Sequence, residues 1–248
     1  TIATGETYRN FLQQFLPAFN KFLTEEKVLN QSLFHCADEP DGEEQVNNYR
    51  QARQMLKEYA PWMKVIDAMS DVHFSIERLS DMPVPSIATA PQFTQNKCPA
   101  WVYFCCGPRD KYLQRLFDTP LAKLRMAGFL FYKLEAKGFL HWGYNYWFQF
   151  CTGTMLDPFL HGDCGAWPGL PFGDPFVVYP GPEGPLDSIR WEVFAEGLQD
   201  YALLQSAGIK PTDPMLSAIV DYAEFPKSAD WITNTIEQTL TRWAAEPK

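Results

Sequence analysis

The sequence predicts an α/β protein built on a parallel sheet with covering helices, of the (β/α)-barrel or the open doubly wound kind. Three observations predict it. Short apolar runs of strand length alternate with longer runs at helical spacing. No strand leads into a Gly-x-Gly-x-x-Gly turn or a Gly-x-x-x-x-Gly-Lys-Ser/Thr loop, one of which a doubly wound nucleotide binder would carry. Residues 142–187 make one long connection crowded with aromatic rings, and barrels build their sites from the loops that follow strands.

The elements follow in order. Residues 6–23 place Tyr8, Phe11, Phe15, Phe19 and Phe22 at helical spacing, with Pro17 as a kink. Residues 32–36 are a short apolar strand, stopped by Pro40. Asp41 reads as an N-cap with Glu44 three residues on, and residues 43–59 as a helix with Val46, Tyr49, Ala52, Leu56 and Tyr59 on one face. Residues 62–67, 83–88 and 101–106 read as further strands, the last ended by Gly107-Pro108. A long helix over 119–136 closes at Gly138, and 139–142 is a fifth strand. Residues 176–179 form a sixth strand or a hairpin within the long connection. Amphipathic helices are expected over 188–205 and about 228–245.

The chain has 248 residues, 46% of them hydrophobic and 15% aromatic, which suffices for one large core or two small ones. Its net charge of −9 repels nucleic-acid phosphates and anionic lipid. No apolar run approaches the roughly 20 residues that cross a bilayer, and Thr1 to Asn10 lacks the basic start of a signal peptide. Neither a nucleic-acid nor a membrane partner is expected, and localisation is left open. Among the six cysteines there is no Cys-x-x-Cys pair. Cys105 and Cys106 read as packed thiols or a redox pair. His161 and Cys164 have metal-like spacing but no second pair to complete a site of about four ligands, so neither metal nor cofactor is expected.

Asp38 and Glu39 are the most informative residues. They end the apolar run Ser32 to Ala37 and precede the helix cap, so the cap does not account for them. Two carboxylates at the mouth of a strand suit acid–base work on a neutral polar substrate, sugars first among these. In the long connection, aromatic faces would stack on sugar rings while Asn145, Asp157, Asp163 and Asp174 bond hydroxyls. Packing of the loop onto the sheet is the alternative for any one of these rings. Trp142, at a strand end, reads equally as a sugar platform or a core tryptophan, and Tyr103 as an acetamido contact or filling. Tyr144, Asn145 and Asp174 are candidate hydroxyl contacts, with Asp174 alternatively capping its turn. His35 and His141 read as satisfied core histidines, and Arg190 as structural.

Phe34 to Pro40, Trp101 to Tyr103, Gly138 to Trp147, Gly173 to Gly181, Ser188 to Glu192 and Glu196 to Tyr201 together resemble glycoside hydrolase family 123 and its uncharacterised relatives. The similarity runs from about residue 30 to 205. It implies a β-N-acetylgalactosaminidase-type enzyme on a (β/α)8 TIM-like barrel, acting on a carbohydrate with retention by substrate assistance. In that scheme, an exception to the two-carboxylate rule, the substrate's 2-acetamido oxygen attacks the anomeric carbon. By matching positions, Asp38 would hold the acetamido N–H and steady the cation, and Glu39 would protonate the leaving oxygen and then activate water. The resemblance puts the acid pair after the fourth barrel strand, so the expectation is an incomplete barrel with strands corresponding to the fourth to eighth plus C-terminal helices. Its other half would be absent or separate, a second copy of the chain being another possible partner. Residues 1–248 are then one partial catalytic domain, with 142–187 as the active-site loop region and 209–248 as a C-terminal helical extension. A glycosidase for another sugar, or a non-catalytic carbohydrate-binding protein on a degenerate barrel, stay open.

Overall fold

In the computed structural model, which describes residues 5–98 and 101–245, the chain divides into two compact units, Thr1–Trp101 and Val102–Lys248. The fold is mixed α/β, with short parallel ladders flanked by helices.

The first unit opens with α1 (Glu6–Glu25), a helix that contains Pro17. Its buried stripe is Leu12, Leu16 and Leu23. Leu12 and Leu16 pack with Met55 and Ala60, and Tyr8, Leu56, Tyr59, Trp62 and Met63 close around them. The aromatic stripe that marks the helix in the sequence lies mostly outside this core. Phe11, Phe15 and Phe22 are exposed, and Phe11, Phe15 and Phe19 stack in succession at 5.3 and 5.2 Å. Helical spacing sets period but not which of two apolar faces wins the core. After a 3-10 turn at Leu29–Gln31, the strand expected over 32–36 reduces to a single parallel bridge between Phe34 and Val65. Helix α2 (Gly42–Tyr59) follows. Its cap differs from expectation: the Asp41 side chain makes no cap bond, and the Asp41 N–H donates to Gln45 Oε1 at 3.1 Å. Strand β1 (Ile66–Ala68) pairs in parallel with β2 (Met82–Val84). Two short helices escaped the sequence reading, α3 (Val72–Ile76) and α4 (Ala90–Gln95). At five and six residues they are too short to show a period.

In the second unit β3 (Val102–Tyr103) pairs in parallel with β4 (Phe139–Leu140). The helix expected over 119–136 is two helices, α5 (Leu121–Arg125) and α6 (Ala127–Lys133), broken at Met126. The long connection ends in an antiparallel hairpin of β5 (Val178–Pro180) and β6 (Pro185–Asp187). Helix α7 (Ile189–Ser206) starts at Ser188, whose side chain accepts from the Trp191 N–H. Helices α6 and α7 touch through glycine: a Cβ on Gly128 would lie 1.6 Å from the Gly197 carbonyl oxygen. Arg125 ties α5 to Asp200 at 3.0 Å. Helix α8 (Ala229–Ala245) ends the described chain, so residues 246–248 of the expected extension lie outside it.

The described strands form three two-stranded ladders. Parallel strand–helix order is as expected, but no closed barrel is formed among the described residues.

Candidate functional site

The segment carrying Asp38 and Glu39 is held at both ends. At its start lies Asp67, in β1 and 0% exposed. Its carboxylate accepts from the Tyr49 hydroxyl at 2.6 Å, from the Cys36 N–H at 3.0 Å, and pairs with His35 Nδ1 at 3.0 Å. At its end, Pro40 stiffens the chain and Gln45 holds Asp41. Between these anchors Asp38 and Glu39 are exposed, and Glu39 sits in the left-handed region at φ 40°. A non-glycine residue there stores strain of about 1–3 kcal/mol, which persists only where surroundings over-determine it and which clusters at functional sites. The left-handed turn also breaks the side-to-side alternation of an extended chain.

Electrostatics follows from burial. Desolvation raises the Asp67 carboxyl above its usual range, opposed by the bonds from Tyr49, Cys36 and His35. The same burial, with Asp67's charge behind it, pushes the Cys36 thiol up to about 11 and the Tyr49 phenol far above its ordinary value. His35 is no core histidine: its side chain is 56% exposed, with Nδ1 held by the buried acid. Sequence reading missed Asp67. Its only signal was one carboxylate inside the apolar strand run 62–67, a place where an acid survives only with partners.

The second unit gathers several other candidates. Trp142 is 44% exposed, and its Nε1–H donates to Asp174 Oδ2 at 2.8 Å. The other Asp174 oxygen lies 3.4 Å from His141 Nε2, and the Asp174 carboxylate is buried. Its turn function is therefore to grip two rings from the strand end. Tyr144 is also exposed and meets Trp191 edge-on at 5.0 Å. Asn145 bridges Phe176 through its backbone and leaves its side chain exposed. Tyr103 is half-buried in β3, opposite Leu140. Burial lowers the His141 pKa, with Arg115 adding to that and Asp174 opposing it.

Arg190 is structural, as expected, and it holds backbone carbonyls. It donates to the carbonyls of Arg115 at 2.7 Å, Gly173 at 2.8 Å and Phe176 at 2.9 Å, which fixes the long connection against the start of α7. Cys105 and Cys106 are free thiols with sulfurs 3.6 Å apart. Together with Asp174 they offer three metal-type donor atoms within 4.8 Å of one another. That is one short of a closed zinc site, Asp174 is already engaged, and hydrogen bonding to Cys106, with burial, keeps the Cys105 thiol protonated well above its usual range.

Comparison with known proteins bears on this arrangement. The family described as Glycoside hydrolase 123, catalytic domain, matches residues 1–207. Among solved structures, a family 123 glycoside hydrolase from Clostridium perfringens, analysed for the details of glycolipid glycan hydrolysis, superposes with a TM-score of 0.63 at 16% identity. The match covers 97% of this chain and 44% of that one, so the chain spans less than half the length of that relative. No curated protein sequence matches the chain.

Proposed function

The chain belongs to the glycoside hydrolase 123 family, and on that premise we propose that it carries the acid–base pair of a glycosidase that releases terminal N-acetylhexosamine, GalNAc above all, by a retaining, substrate-assisted route. The observation that carries this reading is the Asp38–Glu39 loop, exposed, strained at Glu39 and anchored on the buried Asp67. The family match spans that loop.

The Glu39 carboxylic acid gives its proton to the glycosidic oxygen as the C1–O bond breaks. The substrate's acetamido oxygen bonds to C1 on the opposite face and forms an oxazolinium ion. Asp38, ionised, accepts the acetamido N–H and offsets the positive charge. The Glu39 carboxylate then takes a proton from water as that water attacks C1 and reopens the ring, so two inversions give net retention. Proton transfer of this kind contributes about 10²–10⁴-fold in rate. Trp142 is assigned to stacking on a sugar face, Asp174 to holding its indole, and Tyr144, Asn145 and Tyr103 to polar contacts. In this reading the chain supplies the strands corresponding to the fourth to eighth of a (β/α)8 barrel, 142–187 is its active-site loop region, and 209–248 is an extension.

Hydrolysis of aryl N-acetyl-β-galactosaminide and N-acetyl-β-glucosaminide by the full-length protein tests it, with Glu39→Gln and Asp38→Asn alongside. Both variants should lose about 10²-fold or more in kcat, and an N-acetyl thiazoline analogue should inhibit. Unchanged turnover in Glu39→Gln rejects the assignment. Turnover of substrates lacking the acetamido group, with no thiazoline inhibition, rejects substrate assistance.

A further inference from the structure

Arg115 is the one buried cation among the described residues whose charged end reaches no acceptor. It is 5% exposed, and its guanidinium lies 5.2 Å from the Phe194 ring centroid and 5.9 Å from that of Phe139. No hydrogen bond or ion pair to that guanidinium is found among the described residues. A guanidinium carries five N–H donors and stays charged at every physiological pH, and buried charges are normally paired. The favourable fields on Arg115 are those of Asp174, whose oxygens already serve Trp142 and His141, and of Tyr144. The like charge of Arg190 works against it. With burial as the main cause, these push its pKa down to about 10.

The group lines an open cavity of about 590 Å³ in the second unit. Phe139, Phe194, Tyr144 and Tyr201 form its apolar walls, and Lys137 and His141 are also part of its lining. That volume falls within the range of small-ligand sites, roughly 300–1,000 Å³, and is far larger than a bare inorganic anion. Planar donors held beside two adjacent rings suit a carboxylate or sulfate taken in a two-pronged grip.

We propose that this cavity is a binding site for an anionic saccharide, with Arg115 gripping its carboxylate or sulfate and the aromatic walls facing its ring. The proposal rests on this cavity's own lining, in which Tyr144 also appears, and it can stand where the assignment of Asp38 and Glu39 fails, because its readout is binding without turnover.

Isothermal titration of the full-length protein tests it with glucuronate and galactose 6-sulfate as acidic sugars, glucose and galactose as neutral ones, and inorganic sulfate alone. The acidic sugars should bind saturably and their neutral counterparts should not. Arg115→Met should lose affinity by about tenfold or more. It should also be at least as resistant to urea as the wild type, because it removes an unpaired buried charge. Arg115→Lys keeps the charge without the fork, and should bind with intermediate strength. It also serves as the test variant where the methionine protein fails to fold. Absence of acidic-sugar binding, binding of inorganic sulfate alone, or equal affinity in wild type and both variants overturns the proposal.

Discussion

Asp67 in the first unit and Asp174 in the second are both buried carboxylates that grip more exposed groups, and the two differ in what they hold. Asp67 takes a backbone N–H, a tyrosine hydroxyl and a histidine ring. Asp174 takes only side chains, the indole N–H of Trp142 and the imidazole of His141. Gripping backbone fixes where the chain runs, so Asp67 sets the course of the segment that leads to Asp38 and Glu39. Gripping rings fixes only how those rings are turned. The same residue type thus serves as a chain anchor in one unit and as a ring clamp in the other. The two roles separate on removal.

The largest effect belongs to the anchor. Asp67→Ala leaves the Tyr49 hydroxyl, on a residue 2% exposed, and the Cys36 N–H without their acceptor. Each buried donor left unmet costs about 1–3 kcal/mol, so urea unfolding should show a loss of about 3–5 kcal/mol. Asp67→Asn keeps one acceptor oxygen and should cost less, about 1–2 kcal/mol. If Asp67→Ala proves no more costly than the corresponding change at Asp174, the distinction between anchor and clamp collapses.

The clamp should matter less to stability and more to what Trp142 does. Because Trp142 is 44% exposed, water can replace Asp174 at its Nε1. Asp174→Ala should therefore cost only about 1–2 kcal/mol. Trp142→Phe keeps a ring and removes the N–H. If the assignment of Trp142 to a sugar face is right, both variants should weaken GalNAc binding, and the double variant should lose less than the sum of the two. Such non-additivity is the mark of two residues acting through one bond. Simple additivity would show that Asp174 serves something other than the indole.

Much of this was legible in the sequence, and the reasons for the rest are physical. Long helices announced themselves by period, so Glu6–Glu25, Gly42–Tyr59, Ile189–Ser206 and Ala229–Ala245 fall within two residues of expectation. Strands were found in place but too long. The run 101–106 is apolar and buries Val102 and Phe104, yet only Val102 and Tyr103 have a ladder partner. The break at Met126 was invisible because no proline stands there and Gly128, two residues on, lies inside the second helix. At the candidate site, Asp38 and Glu39 stood out because they were acids that no cap explained. Asp67 was hidden because its three partners come from residues 18 to 32 positions away. No local pattern encodes such a convergence. Arg115 was hidden for the same reason: its apolar surroundings come from β4 and α7, and nothing near it in the chain predicts them.

The smallest effect is a pH dependence of the imidazole that Asp174 holds. His141 is 8% exposed at its side chain, beside Asp174, Arg115 and the Gly143 carbonyl. Burial lowers its pKa below the ordinary 6.5, so the folded state resists a proton that the unfolded chain accepts. Its contribution to stability is therefore complete above about pH 6.5 and is lost as pH falls through the lowered value. The slope is at most about 1.4 kcal/mol per pH unit for one proton. Asp67 has the opposite sign. Its raised pKa means that its contribution is full below the usual carboxylate range and is lost as pH rises through the raised value, and the same holds for Asp200. Comparing wild type with His141→Gln cancels those carboxylates. The difference in unfolding free energy between the two proteins should be flat above pH 7 and shrink as pH falls below 6.5. A difference that stays constant down to pH 5 would mean that His141 takes its proton as readily in the fold as out of it, and that the clamp on Asp174 does not depend on a neutral imidazole.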